Sequence, residues 1–181
     1  MARFGQTPSL VEGALVVAGR TGLATLALFL AVVRRQRDGL GVGHDMSEPF
    51  LRAGGCACGA VRFTTTGRPR RGGLCHCLTC RKAHASAFNP FVVFAPASVE
   101  VVGKVTAWES SLGYLRYFCG LCGARVFAEN RDESGDTEYE LSLGSFDEPG
   151  WFTPEYESWT IRREPWLRPM DVPQNRRERR D

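Results

Sequence analysis

The stretch Tyr114-Leu115-Arg116-Tyr117-Phe118, Cys119-Gly120-Leu121-Cys122-Gly123, Ala124-Arg125-Val126-Phe127-Ala128 places two strand-forming runs on either side of a C-x-x-C unit. This is how a ribbon hairpin presents two thiolates: the strands aim them, and the glycines let the backbone wrap an ion. On the N-terminal side, Val61 and Phe63 alternate with Arg62 and Thr64, the period of a half-buried strand. Phe91-Val92-Val93-Phe94, bounded by Pro90 and Pro96, reads as a short buried strand. Ser98–Val102 and Val105–Trp108 flank Gly103-Lys104 and predict a hairpin. Glu138–Leu143 alternates again, and Pro149, Pro154, Pro165, Pro169 and Pro173 prevent a long regular element beyond it. The expected fold is mainly β, with antiparallel sheets and zinc-ribbon-like knuckles in a single domain.

Composition agrees. A chain of 181 residues with 43% hydrophobic and 24% charged content is globular, which excludes wholesale disorder and fibrous repeats. The formal net charge of +3 sits at the ends. Residues 1–45 carry +2, the tail Arg176–Asp181 another +2, and the middle is nearly neutral at −1. A nucleic-acid reader carries its basic face in the folded part, so no specific nucleic-acid partner is expected.

The first 45 residues read as an N-terminal extension outside the domain. Thr21–Val33 is an uninterrupted apolar run, but it ends in Val32-Val33-Arg34-Arg35 without the small-residue cleavage site of a signal peptide. A membrane span needs about 20 apolar residues and would have to include Arg20, so membrane association is not expected. Gly39-Leu40-Gly41-Val42-Gly43 reads as a linker, and Met46-Ser47-Glu48-Pro49 as a natural start. The chain therefore divides into an extension (1–45), a folded domain (46–175) and an Arg-rich tail (176–181), with the domain in the cytoplasm.

All seven cysteines lie between Cys56 and Cys122, bunched as C-x-C, C-x-C-x-x-C and C-x-x-C. An odd number in tight clusters points to metal ligation in a reducing compartment rather than to a disulfide framework. Seven is also four plus three. A structural zinc takes four protein ligands, whereas a reactive one keeps three and leaves a position open. Spacing leaves two pairings open. Cys77/Cys80 could join Cys119/Cys122, or Cys56/Cys58 could join Cys119/Cys122 and leave the compact triplet Cys75, Cys77 and Cys80. His76 is expected to turn away between two ligating cysteines. His84 is open to a surface, supporting or substrate role, and His44 lies in the linker without company.

Three segments together resemble the glutathione-dependent formaldehyde-activating enzyme family, which also includes centromere protein V. They are Gly54-Gly55-Cys56-Ala57-Cys58-Gly59-Ala60-Val61-Arg62-Phe63, Cys75-His76-Cys77-Leu78-Thr79-Cys80-Arg81-Lys82, and Arg116-Tyr117-Phe118-Cys119-Gly120-Leu121-Cys122-Gly123. Gly144-Ser145-Phe146-Asp147-Glu148-Pro149 resembles the family's later turn, and the likeness covers roughly residues 50–170. Two positions depart from the usual pattern: Ala85 stands where a glycine often follows the second cluster, and Phe91 where a tryptophan is frequent.

The resemblance implies two zinc ions, a structural one on Cys56, Cys58, Cys119 and Cys122 and a catalytic one on Cys75, Cys77 and Cys80. It implies a carbon–sulfur lyase that joins glutathione, as co-substrate, to formaldehyde or another small aldehyde. Arg81 and Lys82, beside the triplet, are candidates to hold the carboxylates of glutathione. Trp108, Trp151, Trp159 and Trp166 are expected in packing roles, and Asp147 in a turn. The contrasting reading is a zinc-stabilised, non-catalytic module that binds protein or, through its Arg-rich ends, nucleic acid. The oligomeric state stays open.

Overall fold

The computed structural model describes residues 11–15, 50–131 and 135–178. Along the chain lie Val11–Leu15 (β1), Leu51–Gly55 (β2), Arg62–Thr66 (β3), Arg71–Cys75 (β4), Leu78–His84 (α1), Asn89–Phe94 (β5), Val99–Val102 (β6), Lys104–Ser111 (β7), Tyr114–Cys119 (β8), Arg125–Arg131 (β9), Thr137–Ser142 (β10) and Glu157–Ser158 (β11). The large sheet has the order β1-β7-β8-β9-β10-β5-β4-β11, and β2-β3-β6 form a small one. Every neighbouring pair is antiparallel except β11 beside β4. The mainly β expectation holds.

Alternation decides which face is buried. Phe63, Val99 and Val101 of the small sheet and Val92, Phe94, Val126, Phe127 and Leu141 of the large one share one buried cluster, so the core lies between the sheets. Strand β5 is apolar on both faces for a reason: Phe91 and Val93 pack with Tyr156 on the side away from that core. The C-terminal segment covers this outer face, and Glu157 holds it there. This carboxylate, 1% exposed, meets His76 Nε2 at 2.7 Å and accepts from Arg163 Nε at 3.1 Å, the Met170 amide at 2.7 Å and Gln174 Nε2 at 3.1 Å.

The hairpin expected around Gly103-Lys104 does not form. Strand β6 pairs with β3, whereas β7 pairs with β8 and β1, so the chain changes sheet at this point. Gly103 has φ +110°, and a Cβ there would stand 2.2 Å from the Ala60 carbonyl oxygen. The residue is glycine because the corner is both left-handed and crowded. A glycine between two apolar runs marks such a corner as well as a hairpin turn.

Five residues of the segment read as an extension outside the domain belong to the large sheet: β1 pairs with β7, Val11 facing Ala107 and Leu15 facing Lys104. The apolar run Thr21–Val33, the linker at 39–43 and the start at Met46 lie outside the described residues, as do the last three residues of the tail. Among the described residues no helix is long and apolar enough to cross a membrane.

Candidate metal centres and the cavity between them

The first centre joins the two sheets. Cys56 and Cys58 lie on the turn after β2, where the Val61 amide donates to Cys56 Sγ at 3.2 Å. Cys119 ends β8, and the knuckle closes behind it through Gly123 N–H to the Cys119 carbonyl at 2.9 Å. The sulfurs of Cys56, Cys58, Cys119 and Cys122 all lie within 4.8 Å of one another. Two of the separations are 3.5 Å (Cys56–Cys58) and 3.8 Å (Cys58–Cys119). Four sulfurs around a tetrahedral ion with bonds of about 2.3 Å would stand roughly 3.8 Å apart, so the donor set fits such an ion. The Ala124 and Cys58 amides hold the Cys122 thiol down to about 6.

The second centre is made by a strand end running into a short helix. Cys75 ends β4, Cys77 caps α1, and Cys80 lies in its first turn; their sulfurs also lie within 4.8 Å of one another. The Cys80 amide donates to Cys77 Sγ at 3.3 Å, the bond of an N-cap with sulfur in place of oxygen. Three sulfurs this close do not all carry charge without a cation among them. Hydrogen bonds from Cys75 and then Cys80 hold Cys77 down to about 2, against its burial and with help from the Arg116 charge. Cys75 and Cys77 in turn push Cys80 well up. The structure thus brings together Cys56/Cys58 with Cys119/Cys122, and leaves Cys75, Cys77 and Cys80 as a three-sulfur group.

The triplet sits on the outer face of the large sheet. Register places Arg116, Ala128, Glu140 and Val93 in one row across β8, β9, β10 and β5, and cross-strand partners share a face. Arg116, 5% exposed, turns both terminal nitrogens to Cys80 Sγ at 3.8 Å while its Nε donates to Ser110 Oγ at 2.9 Å. A buried cation thus stands against the triplet, where it would offset the charge of thiolates gathered on an ion. Burial above all pushes the Glu140 carboxyl up, and Asn89 Nδ2 donates to it at 3.1 Å. Asn89 is the cross-strand partner of Cys75.

Asn89 also lines a cavity of about 610 Å³, a size that admits a small ligand. One wall is the Cys56–Gly59 turn; the others include His84, Phe88 and Asn89 on one side and Arg125 on another. Phe146 and Asp147 line it too; Asp147 is ion-paired with Arg62 and its amide donates to the Ala53 carbonyl at 3.0 Å. Asp147 thus anchors a turn, as expected.

His76 does not join the metal group; it lies 1% exposed, held by Glu157. His84 borders the cavity, and its burial, followed by the charges of Arg125 and Arg116, lowers its pKa to about 4, so the ring is neutral at pH 7. Arg81 and Lys82 lie on α1, and neither lines the cavity. Arg81 is turned to the C-terminal segment, where it pairs with Glu164 and donates to the Arg162 carbonyl at 2.7 Å. Trp151 packs between Phe146 and Phe152, whereas Trp166 is 69% exposed rather than packed.

Sequence reasoning passed over Arg116, Arg125, Asn89 and Glu140. Its available signal was charge or amide on strands whose other face is fully apolar. Ala85, where a glycine is usual, adopts φ +46° and ψ +41° as the C-cap of α1, the left-handed conformation glycine takes without strain.

No curated protein matches this chain. Residues 51–162, which hold both sulfur groups and the whole cavity wall, match the family model described as glutathione-dependent formaldehyde-activating enzyme, and the chain belongs to that family.

Proposed function

We propose that the chain is a zinc-dependent carbon–sulfur lyase that adds a small thiol, glutathione, to formaldehyde or a similar aldehyde. The observation that carries this reading is the three-sulfur group Cys75, Cys77 and Cys80, one ligand short of a closed tetrahedral site, with Asn89, the cross-strand partner of Cys75, lining a cavity. Cys56, Cys58, Cys119 and Cys122 form the structural site. Zinc on the triplet would supply a position at which a thiol sulfur binds as thiolate near neutral pH. In the reaction a C–S bond forms to the carbonyl carbon, the C=O π bond breaks, and the thiol proton ends on the new hydroxyl oxygen. Around it, Arg116 offsets the triplet's negative charge and the Phe88 side of the cavity excludes water from the reacting carbon. Reduced thiol ligands and a free thiol substrate suit a reducing compartment such as the cytoplasm.

Metal content and two substitutions test this. The wild type should hold two zinc ions per chain. Cys77→Ser should hold one, stay folded and lose adduct formation. Cys119→Ser should fail to fold, since a structural zinc contributes folding free energy directly. A chain that saturates at one zinc while Cys75, Cys77 and Cys80 are freely alkylated would instead be a non-catalytic binding module.

A further inference from the structure

Among the described residues, Arg116 is the one arginine that is buried and the one bonded to sulfur. Its side chain is fixed at three points. Nε donates to Ser110 Oγ at 2.9 Å, the guanidinium lies 4.6 Å over the Tyr114 ring, and both terminal nitrogens meet Cys80 Sγ at 3.8 Å. A planar fork held this way does not turn to another partner, so its charge stays behind one corner of the triplet.

Arg62, Arg71, Arg81 and Arg163 are each paired with a carboxylate; Arg116 is turned to Cys80 instead. Glu140 also bears on its guanidinium. Burial, however, pushes that carboxyl up toward its neutral form, and Tyr114 and Asn89 donate to it. The four-sulfur group is built differently. Backbone amides meet its sulfurs, Val61 at Cys56 and Ala124 and Cys58 at Cys122, and no arginine among the described residues bonds to them. Its Cys58 and Cys122 are exposed, so water can answer their charge. One buried cation thus sets the two sulfur groups apart.

A divalent ion on three thiolates leaves one negative charge in excess, and an anionic fourth ligand makes two. In a half-buried site that second charge is costly unless a cation stands by. Across about 7 Å at an effective dielectric of about 20, a unit charge changes an anion's affinity by more than about tenfold. We infer that Arg116 is a specificity-determining residue: it lets an ion held by Cys75, Cys77 and Cys80 take a small anion, rather than a neutral donor, as its fourth ligand. This rests on the proposed reading of the triplet as a metal site, but not on the identity of the thiol or the aldehyde.

Cobalt(II) in place of zinc tests this without any turnover, because its visible absorption changes with its ligands. The chain is produced with cobalt in both sulfur groups and titrated with azide, an anion, and with imidazole, a neutral donor. Both should alter the spectrum of the wild type and neither that of Cys77→Ser, which locates the response at the triplet. In Arg116→Gln, azide affinity should fall at least about tenfold while imidazole affinity changes less than about twofold. Arg116→Lys, which keeps the charge but not the fork, should lose less. Arg81→Gln removes a cation next to Cys80 in sequence but paired with Glu164, and it should leave the azide-to-imidazole ratio as it is. An unchanged ratio in Arg116→Gln overturns the inference and leaves the triplet a metal site. A wild type that responds to neither ligand removes the metal reading and the inference together. Should Arg116→Gln not fold, Ser110→Ala decides. It removes the acceptor of Nε, so the ratio should fall about threefold, and an unchanged ratio there overturns the inference.

Discussion

Removing the carboxylate of Glu157 should free the C-terminal segment and loosen the triplet from behind. The side chain is 2% exposed and serves four donors. In Glu157→Ala, Gln174 is exposed and Arg163 partly so, and both can turn to water. His76, itself 2% exposed, cannot, and the Met170 amide loses its acceptor. Two stranded donors and a broken buried charge pair correspond to about 3–5 kcal/mol. Glu157→Gln keeps the Oε1 acceptor for Met170 and Gln174 and removes only the charge that faces Arg163, so about 1–2 kcal/mol is expected. Urea unfolding of the zinc-loaded proteins measures both losses, and amide exchange at Trp159 and Asn175, whose N–H groups bond across this segment, should accelerate. Because His76 lies between Cys75 and Cys77, zinc should also leave the triplet about 10–100-fold more readily while the four-sulfur site is unaffected. A Glu157→Ala protein within 0.5 kcal/mol (roughly the spread of neutral surface changes) of the wild type would refute the reasoning.

Two further tests concern the frame. Ala85→Gly should raise stability by about 1 kcal/mol in urea unfolding, since glycine relieves the left-handed strain at the end of α1; no gain would mean the helix end is unstrained. Glu138 is held below the ordinary carboxylate range by its hydrogen bonds from Arg71 above all, with Nη1 at 2.7 Å. Its contribution, about 1 kcal/mol for a partly exposed pair, is therefore complete above the unfolded value of about 4.3 and is lost as pH falls through the lower folded one. The stability gap between wild type and Glu138→Gln should accordingly close below pH 4, and a gap that is constant with pH would count against the pair.

Much of the fold is readable because its signals are local. Alternation in Arg62–Thr66 and Thr137–Ser142, and the thiolate spacing of Cys119 and Cys122, need no distant partner to be recognised. The pairing of sulfur groups is different: Cys58 meets Cys119 across 61 positions, and spacing cannot show that the β2–β3 turn reaches the knuckle. Strand β4 is hidden because Gly73 stands where an apolar side chain would signal a strand; a Cβ there would lie 2.7 Å from the Tyr156 carbonyl oxygen, so the tail packs on bare backbone. Helix α1, seven residues long, is too short for a 3.6-residue period to appear. Arg116 and Arg125 stand in plain view beside the C-x-x-C unit, on the face that alternation assigns to water. That face is instead covered by the triplet and the cavity, a tertiary fact with no local trace.

The four-sulfur site has a consequence of its own. Its sulfurs come half from the small sheet's turn and half from the large sheet's knuckle, and the same two pieces, Ala57 with Gly59 and Ala124 with Arg125, line the cavity. An ion held there would pin these pieces together, and an oxidant that coupled the exposed Cys58 and Cys122 would release it. Oxidation at the four-sulfur group would then disturb the cavity without altering a single thiol of the triplet.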